Sequence, residues 1–353
     1  MRKIIAAVAV SFLVFSAVSA YNPPVDGEGF FELSSPKSLT AASSVAGGGI
    51  FSAGPDSIVV NPALTAGEQR VVLNAAYTAM FSVNEQNIFR YGNAFQTGIL
   101  IPSKWYIFSG YVNGTMVPFL EMNLGNSINI KAGLSKEISE RLDVGLGLNA
   151  GLFWGAGVDW GISGNVGFVY KLGELGILKD FRVAASVLNL GKNYNNISLY
   201  GVDGSSAASE FPTIATIRIG AAALLYRNDI MKLGFSFDLS TPCFQNLILD
   251  AGLQFSLKDM LVLSVAEKIN ISEACWGHAN YIPSVGLSFK FAFDVKNNAY
   301  LAQNDWSESE MTVSAAYKNI YSTVNAISAG VDINLGMQDT TPPDIKILFD
   351  DEE

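Results

Sequence analysis

One histidine, His278, and two cysteines, Cys243 and Cys275, are the whole supply of the residue types that most often carry acid–base, thiol or metal chemistry. A Ser/His/Asp relay cannot be assembled around a histidine that sits beside Trp276 without a carboxylate cluster, so His278 reads as a solvated loop residue. The same scarcity leaves no set of ligands for a metal or cofactor, and none is expected. Gly145-x-Gly147-x-x-x-Gly151 has the wrong spacing for a dinucleotide fingerprint, and no helix follows it. Gly47–Gly54 lacks the Gly-Lys-Ser/Thr ending of a phosphate loop. An enzyme is not expected. Acidity points the same way for nucleic acid: net charge is −10 and the isoelectric point about 4.7, the opposite of a basic nucleic-acid footprint.

What could position functional side chains instead is a long array of alternating strands. Hydrophobic residues make up 49% of the chain and charged ones 15%, far from the ~25% charge of a soluble domain. In 141–153, Leu142, Val144, Leu146, Leu148, Ala150 and Leu152 share one face, and Asp143, Gly145, Gly147, Asn149 and Gly151 the other. The same period of two runs through 231–239, 246–257, 285–293 and 327–335. Segments of ~9–12 residues whose second face is Gly, Ser and Asn rather than Lys and Glu are the signature of transmembrane strands. A soluble sandwich would use shorter strands and a more charged face. The reading is an all-β, transmembrane antiparallel barrel of about fourteen strands, over residues 67–336.

Strand parity assigns the two ends. Tight turns at Ser139-Glu140, Asn228-Asp229 and Lys258-Asp259 follow even-numbered strands. The long connections Ser82–Ala94, Pro118–Gly125, Gly191–Pro212 and Asn270–Asn280 follow odd-numbered ones. Short turns face the periplasm and long loops the exterior. One long connection, Asp294–Ser309, falls on the short-turn side. Cys243 and Cys275 both fall in external loops, where an exported context permits a disulfide between them. Parity also turns Lys131, Asp143, Arg218, Lys232, Asp238, Asp250, Lys290 and Asp332 inward, as a mixed-sign set expected to pair among themselves or with a plug. Trp105, Tyr106, Trp154, Trp160, Tyr170, Tyr226 and Tyr281 lie near strand ends, as a headgroup-level girdle would.

Three further segments complete the chain. Residues 1–20 read as a signal peptide, with Arg2 and Lys3 before an apolar run and Val18-Ser19-Ala20 as the cleavage site; losing two positive charges takes −10 to −12. Residues 337–353 read as an acidic periplasmic tail broken by Pro342-Pro343. Residues 21–66 contain Ser35–Ala63, an irregular stretch too apolar for a linker and too rich in Gly and Pro for a regular element. It needs shelter, and the barrel lumen, entered from the periplasmic side, would supply it.

Ser35-Pro36-Lys37-Ser38-Leu39, Gly47-Gly48-Gly49, Ala53-Gly54-Pro55-Asp56 and above all Asn61-Pro62-Ala63, ahead of about fourteen strands, resemble the FadL-type outer-membrane channels, including their PorV-like and uncharacterised spirochaetal branches. The resemblance implies an N-terminal hatch with gate residues Gly47, Gly48, Gly49, Asn61, Pro62 and Ala63. It also implies outer-membrane lipid as surroundings, periplasmic termini and uptake of hydrophobic small molecules such as long-chain fatty acids, by ligand-gated diffusion through a monomer. In a PorV-like protein the barrel would instead anchor partner proteins in secretion or at the surface. The chain departs from the family in compactness. Its connection after the fifth strand is only about Gly155–Gly157, which removes the outer capture groove or moves its role to Gly191–Pro212.

Overall fold

In a computed structural model the described residues are 21–40, 44–83, 89–118, 123–155, 157–195, 199–294, 308–321 and 324–336. The segments read as signal peptide (1–20) and acidic tail (337–353) lie outside them.

Fourteen strands form one closed antiparallel barrel. They are β1 (Val71–Val83), β2 (Phe89–Pro102), β3 (Ile107–Pro118), β4 (Asn123–Ser139), β5 (Leu142–Trp154), β6 (Val158–Leu175) and β7 (Leu178–Lys192), followed by β8 (Thr216–Arg227), β9 (Met231–Thr241), β10 (Ile248–Leu257), β11 (Leu261–Asn270), β12 (Ser284–Asp294), β13 (Glu308–Tyr321) and β14 (Val324–Leu335). β1 closes the ring against β14, in register from Val71↔Leu335 to Ser82↔Val324. Closure satisfies every edge, which is what lets strands cross a bilayer.

The alternation reads out as expected. On β5, Leu146, Leu148 and Leu152 are exposed outward while Asp143 and Asn149 are buried inward. No described helix is long and apolar enough to span a membrane; the outward face that could meet lipid is made of strands. The seven aromatic residues at the strand ends are all exposed, as a girdle requires.

Lys258 and Asp259 turn β10 into β11 with φ of 52° and 54°, the left-handed pair that a two-residue hairpin demands. Two expected connections differ. β2 begins at Phe89 rather than near Phe95, so the connection expected at Ser82–Ala94 shortens to residues 84–88. The polar run Arg90–Asn93 had masked a strand whose inward face can tolerate polarity. The stretch expected as the long loop Gly191–Pro212 loses Gly191 and Lys192 to β7, and it does not extend away from the barrel, as shown below. The count of fourteen holds with the long connection after β12 in place.

Candidate functional site

The lumen is filled by the chain's own residues 21–40 and 44–66. The ends of the barrel are distinguished here as the turn end, with the connections after even strands, and the loop end, with those after odd strands.

Residues 44–66 sit against the wall by close backbone approach. Asn61 caps the 3-10 turn Pro62–Thr65: its Oδ1 accepts from the Ala63 amide at 2.9 Å. Its Nδ2 donates to the Val45 carbonyl at 2.8 Å and the Phe168 carbonyl at 3.2 Å. This turn fits only because the facing wall is glycine. A Cβ on Gly145 would lie 2.4 Å from the backbone of Pro62 and Ala63, and one on Gly167 would lie 1.8 Å from Asn61 Oδ1. Gly49 meets Gly234 of β9 in the same way, backbone on backbone. Ser186 Oγ donates to the Val60 carbonyl at 2.9 Å, and Arg182 Nε to the Ala46 carbonyl at 2.6 Å. A second Arg182 nitrogen reaches the Gly48 carbonyl. An irregular backbone is thereby satisfied without water.

Residues 21–40 are held differently. The Asn22 and Pro23 backbone and the Asn22 side chain bond to Ser206, Ser209, Val202 and Asp203 of the connection after β7. Glu28 accepts from the Thr213 amide, and the Asp26 amide donates to Glu273 at 2.8 Å. Phe30 and Phe31 pack into an aromatic cluster with Phe153, Tyr194 and Phe211. The connection after β7 therefore folds inward and covers the plug. Burial pushes the Glu28 carboxyl up to about 7, against the bonds from Thr213. Burial, reinforced by Asp26, does the same to Glu273, also to about 7. Burial would raise Glu32 too, but Lys268 and Arg218 outweigh it and hold that carboxyl at about 2.

Tyr21 donates its amide to Gln245, in the connection after β9. The first described residue therefore lies at the loop end, and the segment runs through the lumen to the turn end, where Arg70 meets Glu68 and Glu310. Entry from the turn end, expected from strand parity, is corrected. Polar bonds to the loop-end connections decide the direction, and parity says nothing about them.

The eight charged residues expected on the lumen face include Lys232, which pairs with Asp259 at 2.7 Å. Arg218 bridges Glu32 at 2.6 Å, Asp238 at 3.0 Å and Asp250 at 3.6 Å, and Asp238 also accepts the Val45 amide at 2.7 Å. Asp332 pairs with Lys37 at 3.1 Å, Lys290 with Glu310 at 3.3 Å, and Asp143 with Lys171 at 3.1 Å. Lys131 differs: its Nζ sits 3.5 Å from the centre of the Phe31 ring, a cation–π contact. Sequence reasoning missed Glu32, Lys268, Arg182 and the Tyr194/Phe211 pair. Lys268 and Arg182 carry inward parity that could have been counted; the two aromatics sit in a loop whose composition says nothing about direction.

Cys243 and Cys275 are free thiols, so the disulfide permitted by their shared end of the barrel is corrected. Cys243 sits in the left-handed turn after β9, and Cys275 ends the short helix Ile271–Cys275 in a different connection. His278 is not merely solvated: its Nε2 lies 2.9 Å from the Val202 carbonyl and ties two connections together.

Beneath the plug, at the turn end, lies a cavity of about 500 Å³. Phe51 and Leu64 separate it from a neighbouring one of about 200 Å³ that reaches Arg182.

No family model matches the sequence, and no curated protein matches it. Its fold does match solved structures. A Pseudomonas aeruginosa FadL homologue superposes with a TM-score of 0.51 at 10% identity, over 91% of this chain and 100% of that one. The chain has the fold of the FadL-type channels. The P. putida toluene transporter TodX gives 0.51 at 11% identity, over 85% of this chain and 98% of that one. The monoaromatic hydrocarbon channel CymD gives 0.50 at 13%, over 86% and 98%. Among the described residues no group of His, Cys, Asp and Glu is placed to hold a metal ion.

Proposed function

We propose that this FadL-fold barrel is an outer-membrane channel that takes up hydrophobic small molecules, long-chain fatty acids foremost, with the turn end facing the periplasm. The observation that carries the reading is a lumen closed by the chain's own residues 21–66 above a ligand-sized cavity. An open porin would instead present charged rings around a water-filled pore. Here most inward charges are spent on ion pairs, Lys131 on the Phe31 ring and Arg182 on plug carbonyls, and Phe51, Leu64 and Met260 are among the residues that border the free space. Passage requires residues 21–66 to yield, which makes Gly47–Gly49 and Asn61–Ala63 the hatch, and its loop-end half the part that moves. Use of the barrel as an anchor for partner proteins is less supported, because the connection after β7 is spent on covering the plug.

Uptake of labelled fatty acid into proteoliposomes tests the proposal. Influx above that of empty vesicles is expected, with a rise on deletion of 21–33. Influx equal to empty vesicles in both proteins overturns it.

A further inference from the structure

The chain leaves β14 beside the turn-end cavity. Asn334 lines that cavity, and two residues later the Gly336 amide donates to Ser309 Oγ at 3.2 Å. The residues that follow are not uniformly polar. Ile345, Ile347, Leu348 and Phe349 form an apolar run between Pro342-Pro343-Asp344 and the four acids Asp350-Asp351-Glu352-Glu353. Side chains of this kind gain from leaving water. Strand pairing with the barrel is not open to them, because the closed ring has no edge to add to.

The cavity offers what such a run needs. Phe51 is the only large hydrophobic residue among the described plug residues that stays substantially exposed, at 46%. Arg182 lies over its ring at 5.0 Å, and Phe51 borders the 500 Å³ space together with Leu64 and Met260. The tether between run and recess is long enough. Residues 337–344 span up to about 26 Å when extended, whereas the half-width of a fourteen-strand barrel is roughly 15 Å. A linker this short sets an effective concentration of about 1 mM, so even a contact with a dissociation constant of ~0.1 mM is filled about nine-tenths of the time. Lys171, Lys232 and Lys290 on the cavity lining are part-exposed even while paired, which gives the four acids cations to lie against. That contribution is small and weakens with salt.

We infer that the turn-end cavity is the docking site of the chain's own Ile345–Phe349, which closes the barrel from the turn end beneath the hatch. The inference goes beyond the channel reading and stands without transport, since it concerns only what covers Phe51. A solute passing the hatch would compete with this segment for the same surface.

The test uses the full chain in lipid nanodiscs with p-benzoylphenylalanine in place of Phe349, adducts being mapped by mass spectrometry after irradiation. Adducts are expected on 50–53 and at Met260 of the same chain. Adducts confined to lipid, to outward residues such as Leu146 and Leu263, or to a second copy would overturn the inference. Phe51→Asp should cut the cavity adducts at least fivefold. Met260→Asp, on the wall rather than the plug, repeats the test if Phe51→Asp fails to fold, and undiminished adducts there also count against docking. Amide exchange gives a second readout. Ile347→Asp combined with Phe349→Asp should speed exchange of 50–53 at least fivefold and leave 57–66 unchanged. Equal rates at 50–53 in both proteins, or amides of 345–349 exchanging as fast as in the free peptide, would overturn the inference. Fatty-acid influx stays a separate measurement: its absence removes the channel and leaves the docked segment, whereas influx without cavity adducts does the reverse.

Discussion

Residues 44–66 meet the barrel mainly through glycine and backbone, with Arg182 and Asp238 as their charged partners, whereas residues 21–33 meet it through carboxylates, aromatic rings and hydrogen bonds to the loop-end connections. The first kind of contact is steric. It has little dependence on salt or pH, and it tolerates no added atom, because close-packed surfaces yield little. The second kind is made of groups that titrate and of connections that can themselves move. One continuous segment thus has an anchored half and a releasable half. On the proposed channel reading, the difference teaches where the plug would open without unfolding its barrel: at the loop end, where it is not locked into glycine seats.

Six substitutions and one pH series would break or sharpen this contrast. Arg218→Met should be the most damaging. It strands Glu32, Asp238 and Asp250, and removing one partner from a buried ion network costs about 3–5 kcal/mol. A drop in the guanidinium unfolding midpoint measures it, and a variant of wild-type stability would mean that the network is not buried as described. Gly145→Ala comes next. Its Cβ would overlap the Pro62 and Ala63 backbone, and overpacking of this kind costs ~1–3 kcal/mol. The same exchange at Gly173, which has nothing within 4 Å, should not disturb the plug and reports only its left-handed φ of 76°. Asn61→Ala loses the cap and the bonds to Val45 and Phe168, for about 1–2 kcal/mol. Asn22→Ala loses buried side-chain bonds to Ser206 and Asp203, for about 1 kcal/mol, and should speed amide exchange across 22–33 more than across 57–66.

Titration discriminates the halves without any mutation. Glu28 and Glu273 stand at about 7 when packed, above the usual 4.5, so the packed state binds their protons more tightly. Their contribution is fully present below about pH 4.5 and is lost as pH rises through 7. Glu32 runs the other way. Held at about 2, it contributes above pH 4.5 and fails only as pH falls toward 2. Of these three, only the first two change between pH 5 and 8. Exchange protection of 22–33 should therefore fall over that interval while that of 57–66 stays flat. Glu28→Gln should weaken the dependence. A parallel fall in both segments would erase the distinction between anchor and latch.

Much of this was legible in residues. Strand number, the outward leucines of β5 and the inward set from Lys131 to Asp332 follow from a period of two, since one face of a membrane barrel must be apolar. Asn61-Pro62-Ala63 could be read as the exit of a sheltered segment, because a capping side chain, a missing donor and a small residue suit a tight turn. The start of β2 was not legible, because Arg90–Asn93 is polar and local composition cannot tell a lumen face from a loop. Nor was the fate of Tyr194 and Phe211, which depends on the rings they meet from Phe30 and Phe153.

By itself, then, the sequence determined a closed barrel of alternating strands, an irregular segment that needs one, and a lumen with mixed charge, all properties of periodicity and composition. Tertiary structure alone decided which end of the barrel receives Tyr21, which glycine faces which stretch of backbone, which carboxylate meets each lysine, and that Phe51 lies beneath Arg182. Those depend on residues distant in the chain, such as Lys268 and Glu32 or Gly145 and Pro62, meeting across the lumen, and no local pattern encodes such a meeting.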